Sequence, residues 1–120
     1  MGNVLVVDDE MEICLLLSSM MKKMGFSTNY ATSLSEAREK LKESHYSIVF
    51  LDLNLPDGLG FHLIREIDKR SNTTKVIMIS AYDGNIEQQR AKEEGADYFI
   101  PKPFSKHAVV EALEQLNVTN

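Results

Sequence analysis

Acidic, hydroxyl and ammonium side chains recur in this chain directly after short apolar runs. Asp8 and Asp9 follow Val4-Leu5-Val6-Val7, and Asp52 follows Ile48-Val49-Phe50-Leu51. Ser80 closes Val76-Ile77-Met78-Ile79, and Lys102 stands just past Tyr98-Phe99-Ile100. Three carboxylates brought close together repel one another and raise one another's pKa, and a divalent cation relieves that repulsion. Oxygen donors on irregular backbone suit Mg²⁺, which keeps several of its waters. A carboxylate can also attack phosphorus, while an ammonium and a hydroxyl offset charge on the transferring oxygens. Asp52, alone at the end of its run, is the candidate nucleophile, and Asp8 and Asp9 are better placed as metal ligands. Taken singly each residue has a plainer role: Asp9 as a helix cap, Lys102 as a solvated loop residue, Ser80 as partner of a local backbone group. Their joint placement at matching positions carries the inference.

That placement requires the runs to be parallel strands of one sheet, with their C-terminal ends along a shared edge. Asn3 to Val7 reads as the first strand. Glu10 to Met24 reads as a helix with Ile13, Leu16, Leu17, Met20 and Met24 as its apolar stripe and Gly25 as its stop. Phe26 to Ala31 is a more polar strand, suited to an edge. Ser33-Leu34-Ser35-Glu36 is a capping box opening a helix to about Glu43. Ser47 to Leu51 reads as a central strand buried on both faces. After the turn residues Pro56-Asp57-Gly58, a third helix runs to about Arg70 with Phe61, Ile64 and Ile67 inward. Lys75 to Ser80 and Asp97 to Ile100 are the last two strands. The helix between them, Asn85 to Glu94, has Asp83 as a candidate cap, Gly95 as a stop, and only Ile86 and Ala91 as apolar residues. It is expected to be the least firmly packed element, because a helix draws its stability mainly from a buried face. Ser105 caps the final helix, with Val109, Leu113 and Leu116 as its stripe.

Five strand–helix pairs in strict alternation predict an α/β fold: a doubly wound, five-stranded parallel sheet with five helices in two layers. The flavodoxin-like order 2-1-3-4-5 sets the first and third strands side by side and brings Asp8, Asp9 and Asp52 together. At 120 residues, 43% of them hydrophobic, the chain is expected to form one domain over 1–120. A net charge of −5 argues against non-specific binding to nucleic acid or an anionic membrane. No apolar run approaches membrane-spanning length, and the early first strand leaves no room for a signal peptide. The single cysteine, Cys14, excludes an internal disulfide and fits a reducing, cytoplasmic setting as a buried, inert thiol. His45, His62 and His107 are scattered among surface-like positions, so no zinc cluster is expected.

Four separated motifs then resemble those of a known family. Val6-Val7-Asp8-Asp9-Glu10, Leu51-Asp52-Leu53-Asn54-Leu55-Pro56-Asp57-Gly58, Ile79-Ser80-Ala81, and Gly95-Ala96-Asp97 through Lys102-Pro103-Phe104 resemble the receiver domain of two-component response regulators, in order and over nearly the whole chain. The resemblance implies that Asp52 accepts a phosphoryl group from a sensor histidine kinase or a phosphotransfer protein. Mg²⁺ would be held by Asp8 or Asp9, by Asp52 and by the backbone carbonyl of Asn54, with Asp9 at the more direct ligand position. Lys102 and Ser80 would contact the phosphoryl group. Ser80 and Phe99 match the residues that reposition on activation. Asn54 and Tyr82 match positions that tune dephosphorylation, and the bulk of Tyr82 implies a long phosphoryl lifetime. Lys102–Pro103 matches a peptide bond that is cis in the family. The expected chemistry is self-phosphorylation and slow autodephosphorylation, with the surface of the fourth helix, fifth strand and fifth helix controlling an output domain or downstream protein. Homodimerisation through that surface is left open, since Gln88, Gln89 and Arg90 make the fourth helix more polar than its relatives'.

Three other readings compete. A Mg²⁺-dependent aspartyl-nucleophile phosphatase of the haloacid dehalogenase type carries Asp two residues after the nucleophile, where this chain has Asn54. A flavin-phosphate binder needs a Ser/Thr/Gly-rich loop after the first strand, where this chain has Asp8-Asp9-Glu10. A degenerate receiver acting only as a binding module would have no need of the intact acidic cluster, Ser80 and Lys102.

Overall fold

The apolar runs do pair as parallel strands. The structure, a computed structural model, describes residues 2–70, 73–81 and 84–118, without the side chains of 68–70. Its elements are β1 (Asn3–Val7), α1 (Met11–Lys23), β2 (Ser27–Ala31), α2 (Leu34–Glu43), β3 (Ile48–Asp52), β4 (Asn54–Leu55), β5 (Gly58–Leu59), α3 (Phe61–Arg70), β6 (Lys75–Ser80), α4 (Asn85–Glu94), β7 (Tyr98–Pro101) and α5 (Lys106–Gln115). The main sheet has the order β2-β1-β3-β6-β7 and is parallel throughout. With the small β4–β5 hairpin set aside, this is the 2-1-3-4-5 order expected from the alternation. The hairpin itself, antiparallel with Leu55 opposite Gly58, was legible only as turn chemistry.

Alternate strand residues feed two cores. Leu5, Val7, Val49, Leu51, Val76 and Met78 pack with Leu34, Leu63, Ile64 and Ala91 beneath α2, α3 and α4. Val4, Val6, Ile48, Phe50, Ile77 and Ile79 pack with Cys14, Leu17, Met21, Val109 and Leu113 beneath α1 and α5. Every residue of β3 is buried, whereas in β2, at the edge, only Ala31 is. Gly25 and Gly95, just past α1 and α4, take φ of 97° and 112°, a conformation that costs glycine little.

The stripe expected on α1 is displaced. Cys14, Leu17, Ser18 and Met21 line the buried face, Ile13 and Met20 lie at its margin, and Leu16 is 44% exposed. Both phases satisfy helical spacing, and the contiguous apolar residues of this helix left the choice between them to the sheet. In α4 the buried residue is Ala91, while Ile86 is 81% exposed. The N-cap position of α4 is Gly84, with no side-chain capping bond, and Asp83 lies outside the described residues. His45, His62 and His107 are all exposed.

Candidate functional site

The strand register assembles the site. Val7 is opposite Leu51, so Asp8 and Asp52 leave neighbouring strands at the same level. Asp52 is opposite Ile79, next to Ser80, and Ser80 is opposite Pro101, next to Lys102. The amide of Lys102 donates to the Ser80 carbonyl at 2.8 Å, and that of Asp8 to the Ala31 carbonyl at 3.0 Å. The backbone entering each of these residues is thus held by a neighbouring strand. The Lys102–Pro103 peptide is cis.

Burial and charge set the electrostatics. Asp8 is fully buried, Asp52 is 6% exposed and Ser80 1%. Lys102 Nζ lies 2.9 Å from Asp8 Oδ2, 2.9 Å from Glu10 Oε1 and 3.6 Å from Asp52 Oδ2. Asp8 Oδ1 accepts from the Glu10 amide at 2.8 Å. Burial, reinforced by the charge of Asp8, pushes the Asp52 carboxyl up to about 6. Asp8 is also raised, because burial outweighs the pull of Lys102. Burial opposes the charge on Lys102, but the Asp8 carboxylate beside it and the hydrogen bond to Glu10 more than offset it and hold the ammonium above its ordinary range. Below the site, the Cys14 thiol donates to the Asp8 carbonyl at 3.2 Å, and burial and the Asp8 charge push it up to about 11, so it stays a thiol.

Glu10 is the member that reading residue by residue missed. It sits in the run of three acids after β1, yet its contact with Lys102 spans 92 positions and exists only in the fold. Among the described residues, carboxylate oxygens of Asp8, Asp9 and Glu10 all lie within 4.8 Å of one another. The buried Asp8 Oδ2 has no aligned hydrogen-bond donor, although Lys102 is close enough to attract it. A buried carboxylate oxygen with spare acceptor capacity, beside two exposed carboxylates, is a hard-oxygen donor set that fits a divalent cation such as Mg²⁺. Asp52 is not in that group; it faces Lys102 instead.

The remaining expected residues stand farther out. Asn54 opens β4 with its side chain exposed. Phe99 is half-buried in β7 and packs against the core beneath α4. Tyr82 lies outside the described residues. Beside Lys102, a groove of about 390 Å³ is lined by Glu10, Ile13, Leu16, Ala81, Pro103 and Phe104. Met11, Leu15 and Leu16 are exposed apolar residues of α1. Among the described residues, no helix is long and apolar enough to cross a membrane.

Comparison with known proteins yields one family. A family model described as response regulator receiver domain matches residues 4–114. The chain is 36% identical over 115 residues to the chemotaxis protein CheY of Thermotoga maritima, covering 95% of this chain and 96% of that protein. It is 35% identical over 116 residues to a CpxR homolog, a transcriptional regulatory protein of Haemophilus influenzae, covering 97% of this chain and 50% of that one. The non-phosphorylated HemR receiver domain of Leptospira biflexa superposes with a TM-score of 0.88 at 30% identity, covering 100% of this chain and 98% of that one. The chain spans about half the length of the CpxR homolog and of YxdJ, a Bacillus subtilis transcriptional regulatory protein. By the match to its family model and its likeness to full-length relatives, the chain belongs to the response regulator receiver domain family.

Proposed function

We propose that the chain is a phosphorylation switch that accepts a phosphoryl group on Asp52 from a phosphohistidine of a sensor histidine kinase or phosphotransfer protein. The observation that supports this most is the Asp52 carboxylate itself. It is nearly buried and 3.6 Å from the Lys102 ammonium, at the edge it shares with Asp8 and Ser80. In the proposed step a carboxylate oxygen of Asp52 forms a bond to phosphorus as the P–N bond of the donor breaks. The bonding electron pair leaves with the imidazole, which takes up a proton. Lys102 offsets charge on the phosphoryl oxygens, and the Ser80 hydroxyl donates to one of them.

Asp8, Asp9, Asp52 and the Asn54 carbonyl would hold Mg²⁺. When bound there it would supply further neutralisation of the phosphoryl charge. The donor approaches over the apolar groove beside Lys102 and the exposed leucines of α1, a surface suited to a partner helix. Phosphorylation then biases a two-state equilibrium in which Ser80 and Phe99 reposition and α4 shifts. The altered surface of α4, β7 and α5 controls an output domain, a downstream protein or a second copy. Residues 1–120 act as one receiver unit in the cytoplasm, with slow hydrolysis in place of multiple turnover, and Asn54 and Tyr82 set the phosphoryl lifetime.

Intact-mass spectrometry after incubation with acetyl phosphate and Mg²⁺ tests the reading. The expected result is a Mg²⁺-dependent gain of one phosphoryl group that Asp52→Asn abolishes. Equal labelling of the variant would remove Asp52 from the acceptor role. Multiple turnovers with no adduct would favour the phosphatase reading.

A further inference from the structure

The N-terminus of α2 has two sets of caps, and they come from different parts of the chain. The opening turn of a helix leaves its amides without intrahelical partners. Ser33 Oγ accepts from the Glu36 amide at 3.1 Å, and Glu36 Oε1 accepts at 3.1 Å from the amide of Thr32, one residue before the cap, so local residues supply a capping arrangement shifted by one residue from the expected box. The next two donors go elsewhere. The Leu34 amide donates to Asp57 Oδ1 at 2.8 Å and the Ser35 amide to Asp57 Oδ2 at 3.0 Å. One carboxylate, 23 and 22 positions downstream, therefore spans both amides, and they hold it below the usual carboxylate range.

Asp57 stands at the tip of the β4–β5 hairpin, and the hairpin is fastened at its base as well. The Gly60 amide donates to the Leu53 carbonyl at 2.7 Å. A Cβ on Gly60 would lie 2.3 Å from the Asp52 carbonyl oxygen, so this close return to the acceptor's own backbone requires glycine. Near the tip, a Cβ on Gly58 would come within 2.9 Å of Leu34 Cδ1, which puts the hairpin directly against the first residue of α2. The segment 52–60 is thus a loop closed on Asp52 at one end and tied to α2 at the other. Asn54 lies on that loop, between the two fastenings.

We infer that Asp57 is a positioning residue for the phosphoacceptor site: by clamping the hairpin to the N-terminus of α2, it holds the Asn54 carbonyl in the direction a bound cation requires. The inference rests on the metal reading proposed above. The clamp touches neither cation nor phosphoryl group and acts only through the loop. Its loss should weaken cation binding while leaving the rate at saturating cation nearly unchanged, since Asp52, Lys102 and Ser80 are set by the sheet.

Calorimetric titration of the unphosphorylated protein with Mg²⁺ provides a readout independent of phosphorylation. Asp57→Ala should weaken Mg²⁺ affinity on the order of tenfold, as loss of an outer-shell partner does. Asp57→Asn, which keeps one acceptor oxygen, should fall between the variant and wild type. Ser33→Ala, which removes the local cap of the same helix without touching the hairpin, should leave Mg²⁺ affinity unchanged. Acetyl phosphate labelling at saturating Mg²⁺ should proceed at a similar rate in all four proteins. Equal affinity in wild type and Asp57→Ala, or an equal loss in Ser33→Ala, would overturn the inference while leaving the acceptor reading intact. A wild-type protein that binds no Mg²⁺ would overturn the metal reading and this inference together.

Discussion

Helices α2 and α4 cover opposite flanks of the same face of the sheet and each makes an ion pair with α3, Arg38–Glu66 from α2 and Glu94–Arg65 from α4, yet they differ in what else holds them. α2 buries Leu34 and Ala37, is capped by the Ser33 hydroxyl and donates two further amide bonds to Asp57. α4 buries only Ala91, begins at Gly84 without a side-chain cap, and leaves Ile86 in solvent. What ties α4 to α3 is polar: Arg65 pairs through two hydrogen bonds of 2.8 Å with Glu94, and the Arg90 guanidinium sits 4.7 Å from the centre of the Phe61 ring. Burial of apolar surface fixes a helix with little regard to conditions, whereas exposed ion pairs contribute little and yield to salt. One flank is therefore the more firmly packed and capped, next to the hairpin that carries Asn54. The other flank is held by contacts that a small change in free energy can rearrange, which is the property a switch requires.

The largest expected contrast is in packing. Leu34→Ala should cost about 2–5 kcal/mol, the range for truncating a buried leucine, whereas Ile86→Ala should change stability by less than about 0.5 kcal/mol. Urea denaturation of the two variants checks this, and a comparable loss from Ile86→Ala would break the comparison. A second test concerns the strand ends between the two flanks. Asp52 titrates near 6 in the folded protein against a reference of 3.8, so the folded state binds its proton more tightly than the unfolded chain does. Stability from this group therefore falls as pH rises between those values. Asp52→Asn should stabilise the metal-free protein at pH 7 by roughly 1–3 kcal/mol, allowing for partial solvent screening. The gap should close as the pH is lowered toward 4, and a destabilised variant would contradict the burial account.

Asp57 has the opposite sign. Its folded pKa lies below the reference of 3.8, so the stability it contributes is present above that value and is lost as pH falls through the lower, folded one. Wild type should exceed Asp57→Asn in urea midpoint at pH 6, and the two should converge on acidification; a constant difference would mean that the carboxylate charge is not what caps α2. The smallest effect belongs to α4. Added salt, at which the Debye length falls to about 3 Å near 1 M, should speed amide exchange in Asn85–Glu94 severalfold and change α2 much less, since its ion pair Arg38–Glu66 is backed by buried Leu34 and Ala37. Glu94→Gln should remove most of that salt response. Exchange insensitive to salt would mean that the Arg65–Glu94 pair does not hold the helix.

Which parts of this were readable in the chain follows from the range of the interactions involved. The strands were legible because runs such as Ile48–Leu51 are apolar without a break. The clustering of Asp8, Asp52, Ser80 and Lys102 followed from their common position at strand ends. The scant apolar burial of α4 was visible in Asn85–Glu94 itself, since too few apolar residues occur there to form a face. The phase of α1 was not, because Ile13, Cys14, Leu15, Leu16 and Leu17 are contiguous and only packing on the sheet selects Cys14 and Leu17 over Leu16. Glu10 and Asp57 were read as motif or turn residues because their partners lie 92 and 22–23 positions away. No local pattern encodes such pairings.

The most direct test of the account is amide hydrogen exchange, read by mass spectrometry, on the protein with and without acetyl phosphate and Mg²⁺. The account predicts that phosphorylation changes protection across Asn85–Glu94 and leaves Leu34–Glu43 as it was. Identical protection of Asn85–Glu94 in the two states, with Asp52 shown by mass to be phosphorylated, would contradict it.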